Sequence, residues 1–206
     1  SVGLWLHFAG GVVRDVPELD IYRASSGKGM HAQYNSRVRA MDREFTTQKM
    51  HVLVVGNSFA RDWANVLLES DYADRIEVSY IEDPTRIADI QGRMKAADAV
   101  FLASFTEGPG LQYGVPEARV FVVGPKNFGK SSGLFFNYRG DDYYNQRAVP
   151  DAGILAFNEE LARRAGAHYI DMISPLVDHE GTVPVFDSQG RFISQDTRHL
   201  TRAGAG

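Results

Sequence analysis

The sequence predicts an α/β fold, a five-stranded parallel sheet covered by helices on both faces and preceded by an N-terminal extension. Two observations carry this. Short strand-like runs rich in apolar and β-branched residues recur at 52–55, 76–80, 99–103, 120–123 and 168–173. Segments with helical spacing separate most of them, and strands alternating with helices form parallel sheets with both faces covered. A length of 206 residues suits one domain with an appendage.

The first run, Val52-Leu53-Val54-Val55, has the continuous apolar character of a strand buried on both faces. Gly56-Asn57 breaks it. From Phe59 the period changes: Ala60, Ala64 and Leu68 recur every four residues, with Phe59, Trp63 and Leu67 beside them, which predicts a helix. After the 76–80 strand, Pro84-Thr85 opens a helix whose Ile87, Ile90, Met94 and Ala97 share a face. Strands at 99–103 and 120–123 flank a Gly- and Pro-rich loop at 106–116. Residues 151–165 form a helix with Phe157, Leu161 and Ala165 in line and Gly166 as its stop, followed by the fifth strand. Segments 183–186 and 191–193, joined through Ser188-Gln189-Gly190, read as a hairpin. Residues 124–149 are aromatic and polar without a period, either a sugar- or acyl-lining loop or packing beneath a long loop.

Residues 1–49 read as an extension packed on the 50–206 domain. Trp5, Leu6 and Phe8 form a short apolar patch, 25–29 is a loop, and 31–46 looks helical, with Tyr34, Val38, Met41 and Phe45 on one stripe. The chain reads as a domain excised from a longer protein whose other parts carry the targeting information.

Hydrophobic residues make up 44% and charged residues 23%, enough for a sizeable core. A net charge of -4 argues against a nucleic-acid surface. The sequence has no cysteine, which removes disulfides, thiolate chemistry and Cys-ligated zinc. No stretch approaches the roughly 20 apolar residues of a membrane span. His7, His31, His51, His168 and His179 lack the spacing of metal ligands, so neither metal nor cofactor is expected, and His168, just before a strand, reads as structural.

Ser58 falls where the first strand ends and the helix begins. A helix N-terminus offers unpaired N–H groups and the positive end of the dipole, where a serine can attack a carbonyl while amides hold the oxyanion. The simpler reading is an N-cap, a role serine fills well. Asp196 and His199, three residues apart, can lie side by side in a turn. A carboxylate on one ring nitrogen fixes the tautomer and leaves the other free to take a serine proton.

Together these pieces form a known pattern. Gly56-Asn57-Ser58-Phe59-Ala60 resembles the first block of the SGNH (GDSL-like) hydrolase superfamily, and Asp196-Thr197-Arg198-His199-Leu200-Thr201 resembles its D-x-x-H-L block. The likeness is closest to the SGNH-like domains that follow the membrane-embedded region of bacterial envelope O-acyltransferases. Segments 11–19 and 193–200 look like that group too. The resemblance implies a three-layer flavodoxin-like fold and a Ser-His-Asp acyl-transfer site: Ser58 as nucleophile, His199 as general base and Asp196 as orienter. It also implies a cell-envelope glycan as substrate, acetyl as the acyl group, an extracytoplasmic location and a membrane-embedded partner or region that delivers the acyl group. Two departures stand out. Asn57 replaces the usual aspartate, and Ala103-Ser104-Phe105-Thr106 stands where a G-x-N-D block would supply oxyanion donors. Asn127, after the fourth strand, is a substitute donor or a turn residue.

Two other classes compete. One is a non-catalytic glycan-binding or scaffolding domain of the same fold, against which the intact Ser, His and Asp argue. The other is a nucleotide binder, because Gly124-Pro125-Lys126-Asn127-Phe128-Gly129-Lys130-Ser131 fits G-x-x-x-x-G-K-[ST] after a strand. A phosphate loop needs a helix at its Lys-Ser end, and the sequence there has glycines and no helical stripe. These glycines are better read as shaping a loop near the active site.

Overall fold

The computed structural model describes residues 30–103, 116–129, 142–194 and 196–206. The Trp5, Leu6 and Phe8 patch, segment 11–19, the 25–29 loop, most of the 106–116 loop, the aromatic residues Phe135, Phe136 and Tyr138 of the 124–149 segment, and the Lys130-Ser131 end of the phosphate-loop motif lie outside the described residues.

In chain order the main elements are α1 (Met30–Arg39), β1 (Met50–Val55), α2 (Ser58–Glu69), β2 (Ile76–Ile81), α3 (Ile87–Ala96), β3 (Ala99–Ala103), β4 (Val120–Val123), β5 (Arg147–Ala148), α4 (Ala152–Ala165), β6 (Tyr169–Ile170), β7 (Val183–Pro184) and α5 (Arg202–Ala205). Five strands form one sheet in the order β2-β1-β3-β4-β6, and every neighbouring pair is parallel. β5 and β7 make a separate antiparallel ribbon.

The pleat of β1 splits the core. Val52 and Val54 join Val38 of α1 and Ala60 and Ala64 of α2 on one face. Leu53 and Val55 join Ile90 and Met94 of α3 on the other. All four residues are at most 2% exposed. Helices therefore sandwich the sheet, the expected three-layer α/β arrangement. In such sheets ligands bind beyond the carboxyl ends of the strands, which is where β1 hands over to α2.

Several boundaries differ from the sequence expectation, each for a local reason. The 31–46 helix stops at Arg39. Beyond it the Met41 carbonyl accepts from the Tyr80 N–H and the Arg43 carbonyl from the Ser79 hydroxyl, so the chain runs beside β2 instead of coiling. β2 is an edge strand, and this segment covers its unpaired groups. The segment is also held by Glu77, whose carboxylate accepts from the N–H and hydroxyl groups of both Thr46 and Thr47.

α3 begins at Ile87, not at Pro84, because the Asp83 carboxylate takes the Thr85 N–H and hydroxyl and closes a turn first. The fifth strand is only two residues long. Asp171 Oδ1 accepts from the N–H groups of Ile173 and Ser174 and turns the chain away from the ladder. The 183–193 hairpin is present as a Phe186–Phe192 bridge closed by a turn in which Gly190 takes a positive φ. His168 is structural: Nδ1 meets the Val120 carbonyl at 3.0 Å. Among the described residues, no helix is long and apolar enough to cross a membrane.

Candidate active site

The turn from β1 into α2 needs a glycine. Gly56 has φ 133°, and a Cβ there would lie 2.2 Å from the Ala103 carbonyl oxygen of β3. The next residue, Asn57, is the N-cap of α2: its Oδ1 accepts from the Phe59 N–H at 2.9 Å. Ser58 is therefore the first helical residue and not the cap, so the simpler reading of Ser58 fails. Asparagine caps about as well as aspartate, which accounts for the Asn57 departure at no cost to the helix. The Ser58 N–H has no acceptor among the described residues.

The D-x-x-H segment is a tight turn held by its own aspartate. Asp196 Oδ1 accepts from the backbone N–H groups of Arg198 at 3.0 Å and His199 at 2.8 Å. Thr197 adopts φ 71°, a left-handed conformation uncommon for a β-branched residue. The Thr197 carbonyl accepts from the Phe128 N–H at 2.8 Å, and the Leu200 N–H donates to Asp62 Oδ2 at 2.9 Å. The turn is thus tied at both ends to the body of the domain.

These restraints bring the three sequence candidates into one line. Asp196 Oδ2 lies 2.5 Å from His199 Nδ1, and His199 Nε2 lies 2.7 Å from Ser58 Oγ. The carboxylate cannot donate, so the short contact assigns the proton to Nδ1 and leaves Nε2 to accept from the serine hydroxyl. Partial burial pushes the Asp196 carboxyl up, but the His199 ring and the two backbone N–H groups outweigh it and hold the carboxyl below its ordinary range.

Beneath this line lies a pair that the sequence did not reveal. Lys126 Nζ sits 2.6 Å from Asp62 Oδ2, with the lysine side chain 1% and the aspartate 0% exposed. Asp62 is one turn after Ser58 on α2, and its Oδ2 takes both the ammonium and the Leu200 N–H. Lys126 Nζ also stands 4.8 Å from the centre of the Phe59 ring, which faces the His199 ring at 6.1 Å. The loop after β4, the serine helix and the histidine turn therefore meet at one carboxylate. Burial pushes the Lys126 ammonium pKa down, and Asp62 opposes that shift.

Asn127 Oδ1 accepts from the Gly129 N–H at 3.0 Å, which makes it a turn residue. Its amide N–H₂ donates to no acceptor among the described residues. Gly129 has φ 104°, and a Cβ there would lie 2.5 Å from the Val149 carbonyl oxygen. From Gly124 to Phe128 the chain has no regular structure. In the described part of the phosphate-loop motif, Gly129 permits a close backbone approach and Lys126 points into the protein against Asp62.

No family model matches the sequence, and no curated protein matches it. Among solved structures, the chain is similar to the periplasmic domain of a lipopolysaccharide acetyltransferase from Salmonella ser. Paratyphi A. The TM-score is 0.54 at 14% identity, over 88% of this chain and 94% of that one. This likeness is one of fold, and it agrees with the three-layer α/β architecture. A Bacteroides fragilis protein provisionally called an acylhydrolase superposes more loosely, with a TM-score of 0.41 at 12% identity over 82% of this chain and 87% of that one.

Proposed function

We propose that this domain is a serine-dependent acyl-transfer enzyme that moves an O-acetyl group to or from a cell-envelope glycan. The observation that carries the reading is the continuous Asp196–His199–Ser58 hydrogen-bond line at the N-terminus of a helix. His199 Nε2 takes the hydroxyl proton as Ser58 Oγ attacks the ester carbonyl carbon. The tetrahedral oxyanion forms beside the Ser58 N–H, with the Asn127 amide as a second donor. The intermediate collapses, the ester C–O bond breaks, and His199 returns the proton to the departing hydroxyl. An acyl-Ser58 remains. A sugar hydroxyl or water then attacks it by the same steps in reverse, which gives transfer or hydrolysis respectively.

The glycan and the extracytoplasmic location are supported by the likeness to a domain described as the periplasmic part of a lipopolysaccharide acetyltransferase. A membrane-embedded partner or region would supply the acyl group. The test is turnover of p-nitrophenyl acetate and of an O-acetylated oligosaccharide by the purified domain and its Ser58→Ala variant. Loss of both activities in a folded variant supports the reading, and undiminished turnover overturns it.

A further inference from the structure

Arg61 lies in the first turn of α2, three residues after Ser58, a spacing that makes the two side chains neighbours on the helix surface. It is only 8% exposed. Its Nε is sealed from solvent without a hydrogen-bond partner. No acceptor among the described residues pairs with any part of its guanidinium. The adjacent carboxylate, Asp62, gives its Oδ2 to Lys126 and Leu200, and its buried Oδ1 makes no hydrogen bond, to Arg61 or to any other group among the described residues.

Arg93 shows what a structural buried arginine looks like in this protein. It is 5% exposed, and its guanidinium meets Ser79, Asp42 and Glu44. Buried charge without a counter-charge opposes folding, so an unpaired buried guanidinium calls for an explanation, and a missing ion or ligand is one.

Position suggests which. Arg61 stands in the first turn of the helix that starts directly after the carboxyl end of β1, three residues from Ser58. The Tyr80 hydroxyl lies 3.2 Å from the Gly56 carbonyl and 3.3 Å from that of Asn57, at the junction that presents Ser58. Nε is sealed from solvent without a partner among the described residues, and the other four N–H donors of a guanidinium lie on its Nη ends. A guanidinium fork matches the paired oxygens of a carboxylate or phosphate.

We propose that Arg61 is an anion-binding group beside the nucleophile, and that the glycan acted on carries a carboxylate or phosphate on the acylated sugar or its neighbour. The substrate class rests on the acyl-transfer reading; the anion site itself does not. Arg61 would sacrifice stability in the free protein for affinity to a charged substrate, as binding groups commonly do.

The experiment is thermal unfolding of the wild type, Arg61→Met, Arg61→Lys and Ser58→Ala. Each is titrated with sodium glucuronate, inorganic phosphate or, at matched ionic strength, sodium chloride with glucose. The proposal expects glucuronate or phosphate to raise the melting temperature of the wild type and of Ser58→Ala, and the larger response identifies carboxylate or phosphate. Arg61→Met should melt above the wild type without anion and lose the response. Arg61→Lys, which keeps the charge without the fork, should respond weakly. In kinetics, Arg61→Met should lower kcat/KM for an acetylated sugar bearing the preferred anion about tenfold more than for p-nitrophenyl acetate, the scale of one charge-assisted hydrogen bond.

No anion response in the wild type, or an equal response in the Arg61 variants, overturns the proposal. So does an equal loss on charged and neutral esters. An Arg61-dependent response in a protein without Ser58-dependent turnover would leave the anion site standing and remove the acyl-transfer reading.

Discussion

Lys126 and Asp62, 64 positions apart in sequence, form a buried ion pair at 2.6 Å, and the same aspartate oxygen holds the backbone next to His199. Removing one partner leaves the other charge buried. Lys126→Met should cost about 3–5 kcal/mol, the usual cost of breaking a buried pair. Replacing both, as Lys126→Met with Asp62→Leu, should recover much of that loss. Urea denaturation of the two variants checks this. A Lys126→Met protein within about 1 kcal/mol of the parent would show that the pair does not hold these segments together.

Asn57 caps the serine helix and Ser58 does not. Asn57→Ala should therefore cost about 1 kcal/mol, Asn57→Asp should be near neutral, and Ser58→Ala should cost less than Asn57→Ala. Equilibrium unfolding of the three variants gives the order. A larger loss in Ser58→Ala than in Asn57→Ala would contradict the cap assignment.

Stability should fall on both sides of neutrality through two named groups. Burial pushes the Glu77 carboxyl up, but the Thr46 and Thr47 donors outweigh it and hold it down at about 2. A depressed carboxyl contributes stability above its unfolded pKa, near 4.5, and the contribution is lost as pH falls from there through about 2. His51 has the opposite sign. Its two ring nitrogens face the carbonyls of Thr47 at 2.9 Å and Ala96 at 3.1 Å, so both act as donors only in the imidazolium, and its pKa is raised. Its contribution is complete below the unfolded value of 6.5 and is lost as pH rises through the raised value. Melting curves against pH should therefore have a shallower acid limb in Glu77→Gln and a shallower alkaline limb in His51→Gln. Unchanged limbs would contradict these assignments.

The sequence made the central sheet legible because strands buried on both faces are apolar in nearly every position. Val52–Val55 and Val120–Val123 announce themselves this way. β6 is shorter than its apolar run because Asp171, within that run, takes two backbone N–H groups. The Asp196–His199 contact was legible because it is local, a matter of three-residue spacing. Lys126–Asp62 and Arg61 were not. Helical periodicity puts Asp62 on the side of α2 opposite the apolar stripe and Arg61 on its flank, where charged side chains normally meet water. The loop after β4 and the histidine turn cover Asp62 instead, with α1 and α5 packed along the same helix. Lys126 was masked by the glycine pattern around it, which reads as a phosphate loop.

Within the proposed mechanism the histidine and aspartate divide the work. His199→Ala should remove nearly all esterase activity, because nothing else receives the serine proton. Asp196→Asn should leave a reduced remainder, since the aspartate orients the ring and carries no proton itself. Initial rates of p-nitrophenyl acetate hydrolysis by the two variants and the parent test both. A His199→Ala variant as active as the parent would favour the scaffold reading.

The most direct test of the central claim is peptide mapping after reaction with a fluorophosphonate probe, which traps an activated serine as a stable adduct. The hydrogen-bond line from Asp196 through His199 to Ser58 predicts one adduct, on Ser58 Oγ. It should form on the native protein, disappear in Ser58→Ala and be strongly reduced in His199→Ala. A native protein that turns over acetate esters while Ser58 stays unlabelled, or that labels equally well without His199, would contradict the account.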